Sequence, residues 1–479
     1  MERRNITTYE EAVDYLLNIP RFTSKNSMED TKAFLRRLGN PDQSFKIIHV
    51  AGTNGKGSVC AYLRMMLEEA GYKTCVFTSP HLVDVRERFM IGGEMVSKEA
   101  FLEAFLIVYR MIPWDMIPAD DAFNEGGKLP EGFYHPTFFE YLFFMAMLLF
   151  QKAKPDYCIL ETGLGGRLDA TNSVSHKELA VITRISLDHV EYLGDTPEKI
   201  AREKAGIIAK GAPVVYLETT EGVNAIFDET ARKIGAKECI MSKSDYALLN
   251  FRDKNIDFSL HTRYYNDIEI KLRTAALYQL ENASLAVRAL EALDQGKHVT
   301  ARQIQAGLAK CFWPGRMEEV APNVFVDGAH NEDGVRAFLE SVSADGFLGE
   351  RILLFSAVKD KAFEKMLQEI VDQELFQEIY LVPLHTNRAT SAEVLTELTR
   401  RMIREKYSDN NKNKINDAAA DDFDTKDQRR IKKIRVGSFG NVEDAMDQLL
   451  KQKRVDQRLY VAGSLYLVGE VLAMKAKKK

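Results

Sequence analysis

His49-Val50-Ala51-Gly52-Thr53-Asn54-Gly55-Lys56-Gly57-Ser58 is the stretch on which the reading of this chain turns. It follows the apolar run Phe45–Val50 and leads into apolar residues at Val59, Tyr62, Leu63, Met66, Leu67 and Ala70, closed by Gly71. An i, i+3, i+4, i+7 stripe ended by glycine predicts a helix. Strand, small-residue turn and helix start together aim successive backbone N–H groups into one concavity, at the positive end of the helix dipole. Gly52, Thr53, Asn54, Gly55, Gly57 and Ser58 are therefore candidates for cradling phosphate, with Lys56 supplying charge for the β- and γ-phosphates. The stretch departs from the common G-x-x-x-x-G-K-[ST] pattern. Val50 stands at the first glycine position, and Gly57 separates Lys56 from the Ser58 hydroxyl.

Outward from this loop, short β-branched runs alternate with amphipathic stretches. Strands are predicted at Thr74–Thr78, Tyr157–Glu161, Leu179–Ile185 and Pro213–Leu217. That alternation implies an α/β fold with a mostly parallel sheet covered on both faces. A second series begins near residue 323, with strands at Val324–Asp327, Ile352–Ser356, Ile379–Pro383 and Leu459–Ala462. Trp313-Pro314-Gly315-Arg316 is the expected hinge, dividing the chain into 1–313 and a smaller Rossmann-like α/β domain at 314–479. Two stretches break the alternation and are expected to be insertions, Ile112–His135 and Ser408–Arg430. The second has six Asp and four Asn but only Ile415 and Phe423 as large apolar side chains, so a mobile surface segment is expected.

Composition narrows the classes. The 479 residues carry 65 Lys+Arg against 70 Asp+Glu, a formal charge of −5. That balance offers no basic field for nucleic acid. The N-terminus lacks a signal-peptide core. The greasiest run, Phe138–Phe150, contains Glu140 and falls short of the ~20 residues of a membrane span, so it reads as a buried helix. Five scattered cysteines without a C-x-x-C pair fit reduced thiols in the cytoplasm. A bound nucleotide also needs Mg²⁺, and three strand ends offer ligands: Ser79, Glu161 and His189.

These residues resemble the folylpolyglutamate synthase/dihydrofolate synthase branch of the Mur ligase superfamily. The matching segments are His49–Ser58, Thr78–Leu82, Glu161–Asn172, Asp188-His189 and Leu193–Thr196. They continue through Glu203–Ile207, Trp313–Arg316, Asp327–Asn331 and Gly463-Ser464-Leu465-Tyr466. The resemblance implies a P-loop, Mur-ligase-like ATPase domain followed by a glutamate-binding ligase domain. It implies an enzyme that activates a folate γ-carboxylate with ATP as an acyl phosphate, which the amine of L-glutamate then displaces. ATP and two Mg²⁺ ions are the implied cofactors. Ser79, Glu161 and His189 hold metal, and Lys204 matches a lysine that is carbamylated in several members, becoming a metal ligand.

The same resemblance places Asn282 at adenine and Arg316 at the ATP phosphates. Asp327 and His330 face the nucleotide and the incoming glutamate, with Lys56, Lys204, Asp327 and His330 as the catalytic set. Arg388 and Ser464 complete a glutamate pocket. The loop Phe22–Asp30, Ser79, Pro80, His81, Phe139 and Asp169 line the folate side. One departure from the family pattern is Asp360-Lys361-Ala362, where the family commonly shows Asp-Lys-Asp. The implied partners are reduced folate, L-glutamate and ATP, with no membrane or nucleic acid, and the expected state is a monomer. Addition of glutamate to dihydropteroate stays open beside the main reading. A P-loop phosphotransferase and a catalytically silent nucleotide-gated module are the readings from other classes.

Overall fold

Among the described residues, parallel strand pairing dominates two of the three sheets. The computed structural model describes residues 4–19, 26–116, 134–252, 254–359, 361–386, 388–414 and 434–477. The sequence readings at 22–25, 117–133, Asp360, Asn387 and 415–430 lie outside these residues.

The first sheet is built from β1 (Lys46–Ala51), β2 (Thr74–Phe77), β3 (Phe89–Ile91), β4 (Glu94–Met95), β5 (Tyr157–Glu161), β6 (Leu179–Ile182), β7 (Val214–Leu217) and β8 (Glu238–Met241). Its order is β4-β3-β2-β5-β1-β6-β7-β8, with β3 and β4 the antiparallel edge. The central strands are buried on both faces, as βαβ crossovers require. Helix Phe138–Ala153, the greasy run of the sequence, covers one face, and Phe143, Phe144, Met145 and Phe150 are fully buried there. Helices Lys56–Glu69 and Gln279–Asp294 cover the other face.

A small antiparallel sheet follows, made of β9 (Tyr246–Arg252), β10 (Asn255–His261) and β11 (Asp267–Leu272). The sequence reading did not anticipate it. Its signal is strict alternation: Ile256, Phe258 and Leu260 on β10, and Ile268, Ile270 and Leu272 on β11, all point inward.

The third sheet comprises β12 (Glu318–Ala321), β13 (Val324–Val326), β14 (Glu350–Phe355), β15 (Glu378–Leu381), β16 (Arg435–Ser438) and β17 (Gln457–Ala462), in the order β12-β13-β17-β14-β15-β16. Strands β13, β14, β15 and β17 are the four read from sequence. The edge strands β12 and β16 were missed because their residues are only half buried and carry no apolar run.

The expected insertions need new bounds. Ile112 is 3% exposed and Trp114 packs on Tyr109, with ring centroids 4.9 Å apart, so the first stretch begins inside the core. It also ends there, since His135 is buried against Tyr15. Helix Ala392–Lys414 runs past Ser408, so the second stretch starts as a continuation of a helix. The reason is local: Glu405, Lys406 and the polar run after Ser408 are compatible with helix once it has been nucleated upstream.

His135 carries a pH consequence. Its Nδ1 lies 2.8 Å from the Pro136 carbonyl, which can only accept, so Nε2 accepts from the Tyr15 hydroxyl at 2.6 Å. Burial pushes its pKa down from 6.5 to about 4. A depressed histidine contributes stability fully present above about 6.5 and lost as pH falls toward about 4. Denaturant unfolding across that window should show stability falling with acid, and His135→Gln should flatten the slope.

Candidate active site

The phosphate loop leaves β1 at Gly52 and enters helix Lys56–Glu69, with Gly55 at the cap position. Gly55 has φ +90°, and a Cβ there would sit 2.2 Å from Asn282 Oδ1. Gly52 has φ +151°, and a Cβ would fall 1.7 Å from the Thr183 hydroxyl. Both positions therefore exclude a side chain, so the loop backbone can lie against its neighbours. Thr53 N–H donates to Arg184 O at 2.8 Å, and the Ser58 hydroxyl accepts from Gln279 Nε2 at 3.0 Å.

Two lysines converge on this loop. Lys56 Nζ donates to the carbonyls of Gly52 (3.1 Å) and Thr53 (3.2 Å). Lys204 Nζ donates to the same Gly52 carbonyl at 2.6 Å, and the residue is 3% exposed. Burial, and then the Lys56 charge, hold the Lys204 amine well below the usual lysine range.

Glu161 ends β5 inside the site. It accepts the Ser79 N–H at 3.0 Å and forms no ion pair among the described residues. Burial raises its pKa, opposed by Lys56, the Ser79 N–H, Arg316 and Arg88. His189 sits at φ +49° before the short helix Val190–Leu193, and burial lowers it to about 4. Pro80 follows Ser79, and His81 Nδ1 accepts from Arg88 Nε at 2.9 Å. The Phe139 ring lies under Gly163, where a Cβ would meet it at 2.6 Å, and 5.6 Å from the Phe77 ring.

Residues of the six-stranded sheet close the cleft. Asp327, at the end of β13, accepts the Tyr278 hydroxyl (2.6 Å) and the N–H groups of Met317 and Ala329 (2.9 Å each). Burial raises its carboxyl. Arg316 lies against Gly328, whose added Cβ would be 2.1 Å from the guanidinium. His330 Nδ1 donates to Gly328 O at 2.8 Å, leaving Nε2 3.7 Å from Asp188. Burial, then Lys361, lowers His330 to about 4. Ser464 is 2% exposed and accepts the Tyr466 N–H at 3.2 Å. Arg388 lies on the loop after β15, its carbonyl taking the Lys359 N–H at 2.8 Å.

Asn54, Gly55, Asn282, Arg316, Asp327 and His330 line one cavity of about 70 Å³ between the two halves. A larger cavity, about 310 Å³, lies at the other end of the first sheet and contains none of the motif residues.

The same architecture recurs in solved proteins. Escherichia coli FolC in complex with DHPP and ADP superposes with a TM-score of 0.78 at 27% identity, covering 99% of both chains. The Yersinia pestis bifunctional folylpolyglutamate synthase/dihydrofolate synthase complexed with AMPPNP and Mn ion gives 0.75 at 26%, covering 98% of each. Residues 134–290 match the Mur ligase middle domain, and 315–465 the Mur ligase glutamate ligase domain. A dihydrofolate synthase/folylpolyglutamate synthase of Bacillus subtilis is 36% identical over 76% of this chain and 83% of its own. The one from E. coli is 31% identical over 96% of this chain and 94% of its own. This chain belongs to the folylpolyglutamate synthase/dihydrofolate synthase family of the Mur ligase superfamily.

For this family member, tertiary structure adds groups that the sequence reading left unassigned. Asp188 accepts from Asn331 Nδ2 at 3.1 Å and forms a buried ion pair with Lys361. Asn54 and Asn331 exchange amide hydrogen bonds at 3.1 and 3.0 Å, and Asn54 also donates to Asp333 at 2.9 Å. Arg184 pairs with Glu281 at 2.7 Å beside the cavity. Asp188, Asn331 and Lys361 stood in quoted motifs without an assigned role; Asp333 and Arg184 had no spacing signal at all. The reverse holds for Asp169. Its carboxylate is buried and taken up by the Leu164 N–H, the Thr171 N–H and the Thr171 hydroxyl. These bonds fix the shape of its loop.

Lys361→Met would strand the Asp188 carboxylate without its cation. The expected cost is about 3 kcal/mol in denaturant unfolding. The double variant with Asp188→Asn should recover part of that loss.

Proposed function

We propose that this protein is an ATP-dependent amide ligase adding L-glutamate to the γ-carboxylate of a reduced folate, releasing ADP and phosphate. The observation that carries this reading is the meeting, in one cleft, of the phosphate loop, the buried Lys204 amine and the Asp327–Asn331 segment of the other half. Near full-length similarity to enzymes of that name supports it.

In this reading the amides of Gly52–Ser58 hold the ATP phosphates. Lys56 leaves the loop carbonyls to meet the γ-phosphate as the folate carboxylate attacks in line. Arg316 adds charge at the phosphates, and Asn282 contacts adenine. Ser79, Glu161 and His189 fit a hard divalent ion: Glu161 offers a buried carboxylate with no ion partner among the described residues. Mg²⁺ held there would neutralise phosphate charge beside that supplied by Lys56 and Arg316.

The acyl phosphate must then meet glutamate with water excluded. Residues 1–313 supply the nucleotide and folate sites, and 314–479 supply glutamate contacts through His330, Arg388 and Ser464. Asp327 holds the turn that presents His330. Closure at Trp313–Arg316 assembles the site. The cavity of about 70 Å³ is small beside the ~300–1,000 Å³ of ordinary ligand pockets. Parting of the halves where Asn54 meets Asn331 and Asp333 would widen it for ATP.

Dihydropteroate is a second candidate acid, favoured by the double name of the B. subtilis and E. coli relatives. The chemistry is the same and only the acceptor is shorter. The protein acts as a cytoplasmic monomer in this reading. Among the described residues no helix is long and apolar enough to cross a membrane.

Lys56→Ala should abolish ADP and phosphate release while leaving the unfolding transition in place. In the wild type that release should require both glutamate and a pteroyl acid. Turnover with neither would point to a phosphotransferase.

Lys204 is suited to carbamylation, since a neutral amine is the form that adds CO₂, losing a proton to become an anionic carbamate. A second metal ion would use that carbamate as a ligand. With ¹³C-bicarbonate, a carbamate carbon signal should appear in the wild type and vanish in Lys204→Arg, together with activity.

A further inference from the structure

Side chains of β1 alternate between two cores. Ile48 and Val50 pack beneath helix Lys56–Glu69, and Ile47 packs beneath helix Phe138–Ala153. His49 follows Ile47 onto the second face and is fully buried. Its Nε2 lies 2.8 Å from Thr171 Oγ1. Thr171 has a single hydroxyl proton, which goes to Asp169 Oδ1 at 2.5 Å. The imidazole is therefore the donor, in its Nε2–H form. Its other nitrogen, Nδ1, is buried with no hydrogen-bond partner among the described residues.

An unpaired buried nitrogen costs stability that an apolar residue here, like its neighbours on β1, would avoid. The imidazole's one polar contact among the described residues is the Thr171 hydroxyl. What that contact holds is the glycine-rich loop. Asp169 Oδ2 takes the Leu164 N–H at 2.8 Å and Oδ1 the Thr171 N–H at 3.0 Å, so one carboxylate closes both ends of the segment. The far flank is fixed elsewhere: Arg167 N–H donates to Glu203 O at 2.7 Å, and Asn172 Nδ2 to Gly206 O at 3.1 Å. His49 is the tie from this loop to β1, three residues ahead of Gly52.

We propose that His49 is a positioning residue for the folate acceptor: through Thr171 and Asp169 it holds the Leu164–Thr171 loop in the register that presents its backbone to the pteroyl part of the substrate. This rests on the folate reading given above. His49 touches no reacting atom, and its effect is expected on acceptor binding alone.

The test uses the full chain with ATP, glutamate and tetrahydrofolate. His49→Leu keeps the packing and removes the donor; His49→Gln keeps an N–H donor at similar reach. H49L should raise the KM for tetrahydrofolate about five- to ten-fold, the scale of one lost hydrogen bond. The KM for ATP and kcat should move by less than about two-fold, and H49Q should restore most of the loss. Thr171→Val, which deletes the bridging hydroxyl at constant shape, should reproduce the H49L pattern even if H49L folds poorly. Wild-type turnover that depends on a pteroyl acid, with the tetrahydrofolate KM unmoved in H49L and T171V, overturns the His49 assignment alone. Equal losses in H49Q and H49L, or a loss confined to kcat or ATP, overturn it as well. Wild-type turnover that needs no pteroyl acid overturns the functional reading instead.

Discussion

Two ammonium groups meet at one carbonyl oxygen, that of Gly52, and the rest of the site is arranged around this crowding. Lys56 approaches from the loop's own helix at 3.1 Å and Lys204 from helix Pro197–Ala205 at 2.6 Å. Two like charges in a buried space cannot both be held without cost. Lys204, the more enclosed, is the one whose burial drives it toward the neutral amine. The convergence depends on Gly52, whose missing Cβ lets Thr183 close on the loop. It depends equally on Gly166, where a Cβ would press 3.0 Å from the Lys204 Cα. The phosphate loop, the glycine-rich block and the Lys204 helix are in this sense one packed unit.

The second half packs on the first through apolar contacts of Ala275, Ala276 and Leu82, and in the cleft itself the two halves meet through polar contacts. Asp188 reaches Lys361 and Asn331 across the cleft, and Asn54 reaches Asn331 and Asp333. Buried polar contacts of this kind gain less than apolar packing and are strongly directional. They suit an interface that must close in one register and reopen. A chain of net charge −5 can still receive anions here: Lys56, Arg88, Arg316 and Lys361 gather at the carboxyl ends of two sheets, so the field reverses locally.

Most of the parallel framework could be read in advance, because each βαβ unit writes its own local pattern. The apolar run Tyr157–Glu161, the stripe from Val59 to Ala70 and the loop between strand and helix are periodic signals within a few residues of one another. The antiparallel sheet β9–β11 was also written locally, as the alternation on β10 and β11, and was passed over beside the stronger parallel pattern. The edge strands β12 and β16 were not written at all. A half-buried edge lacks the apolar contrast on which such a reading relies.

By itself, then, the sequence determined the phosphate loop, the two α/β halves and the motif residues that come to lie at strand ends. These follow from local periodicity, from glycine at positions of positive φ and from short-range order. Only the tertiary structure decided which of those residues touch. Asp188–Lys361 spans 173 positions, His49–Thr171 spans 122 and Lys204–Gly52 spans 152. No periodicity encodes pairings across such distances. Burial then decided the charge states, turning Lys204 toward a neutral amine and keeping His330 and His189 unprotonated near neutral pH. Desolvation is a property of the packed environment, and a side chain acquires it only once its distant neighbours have closed around it.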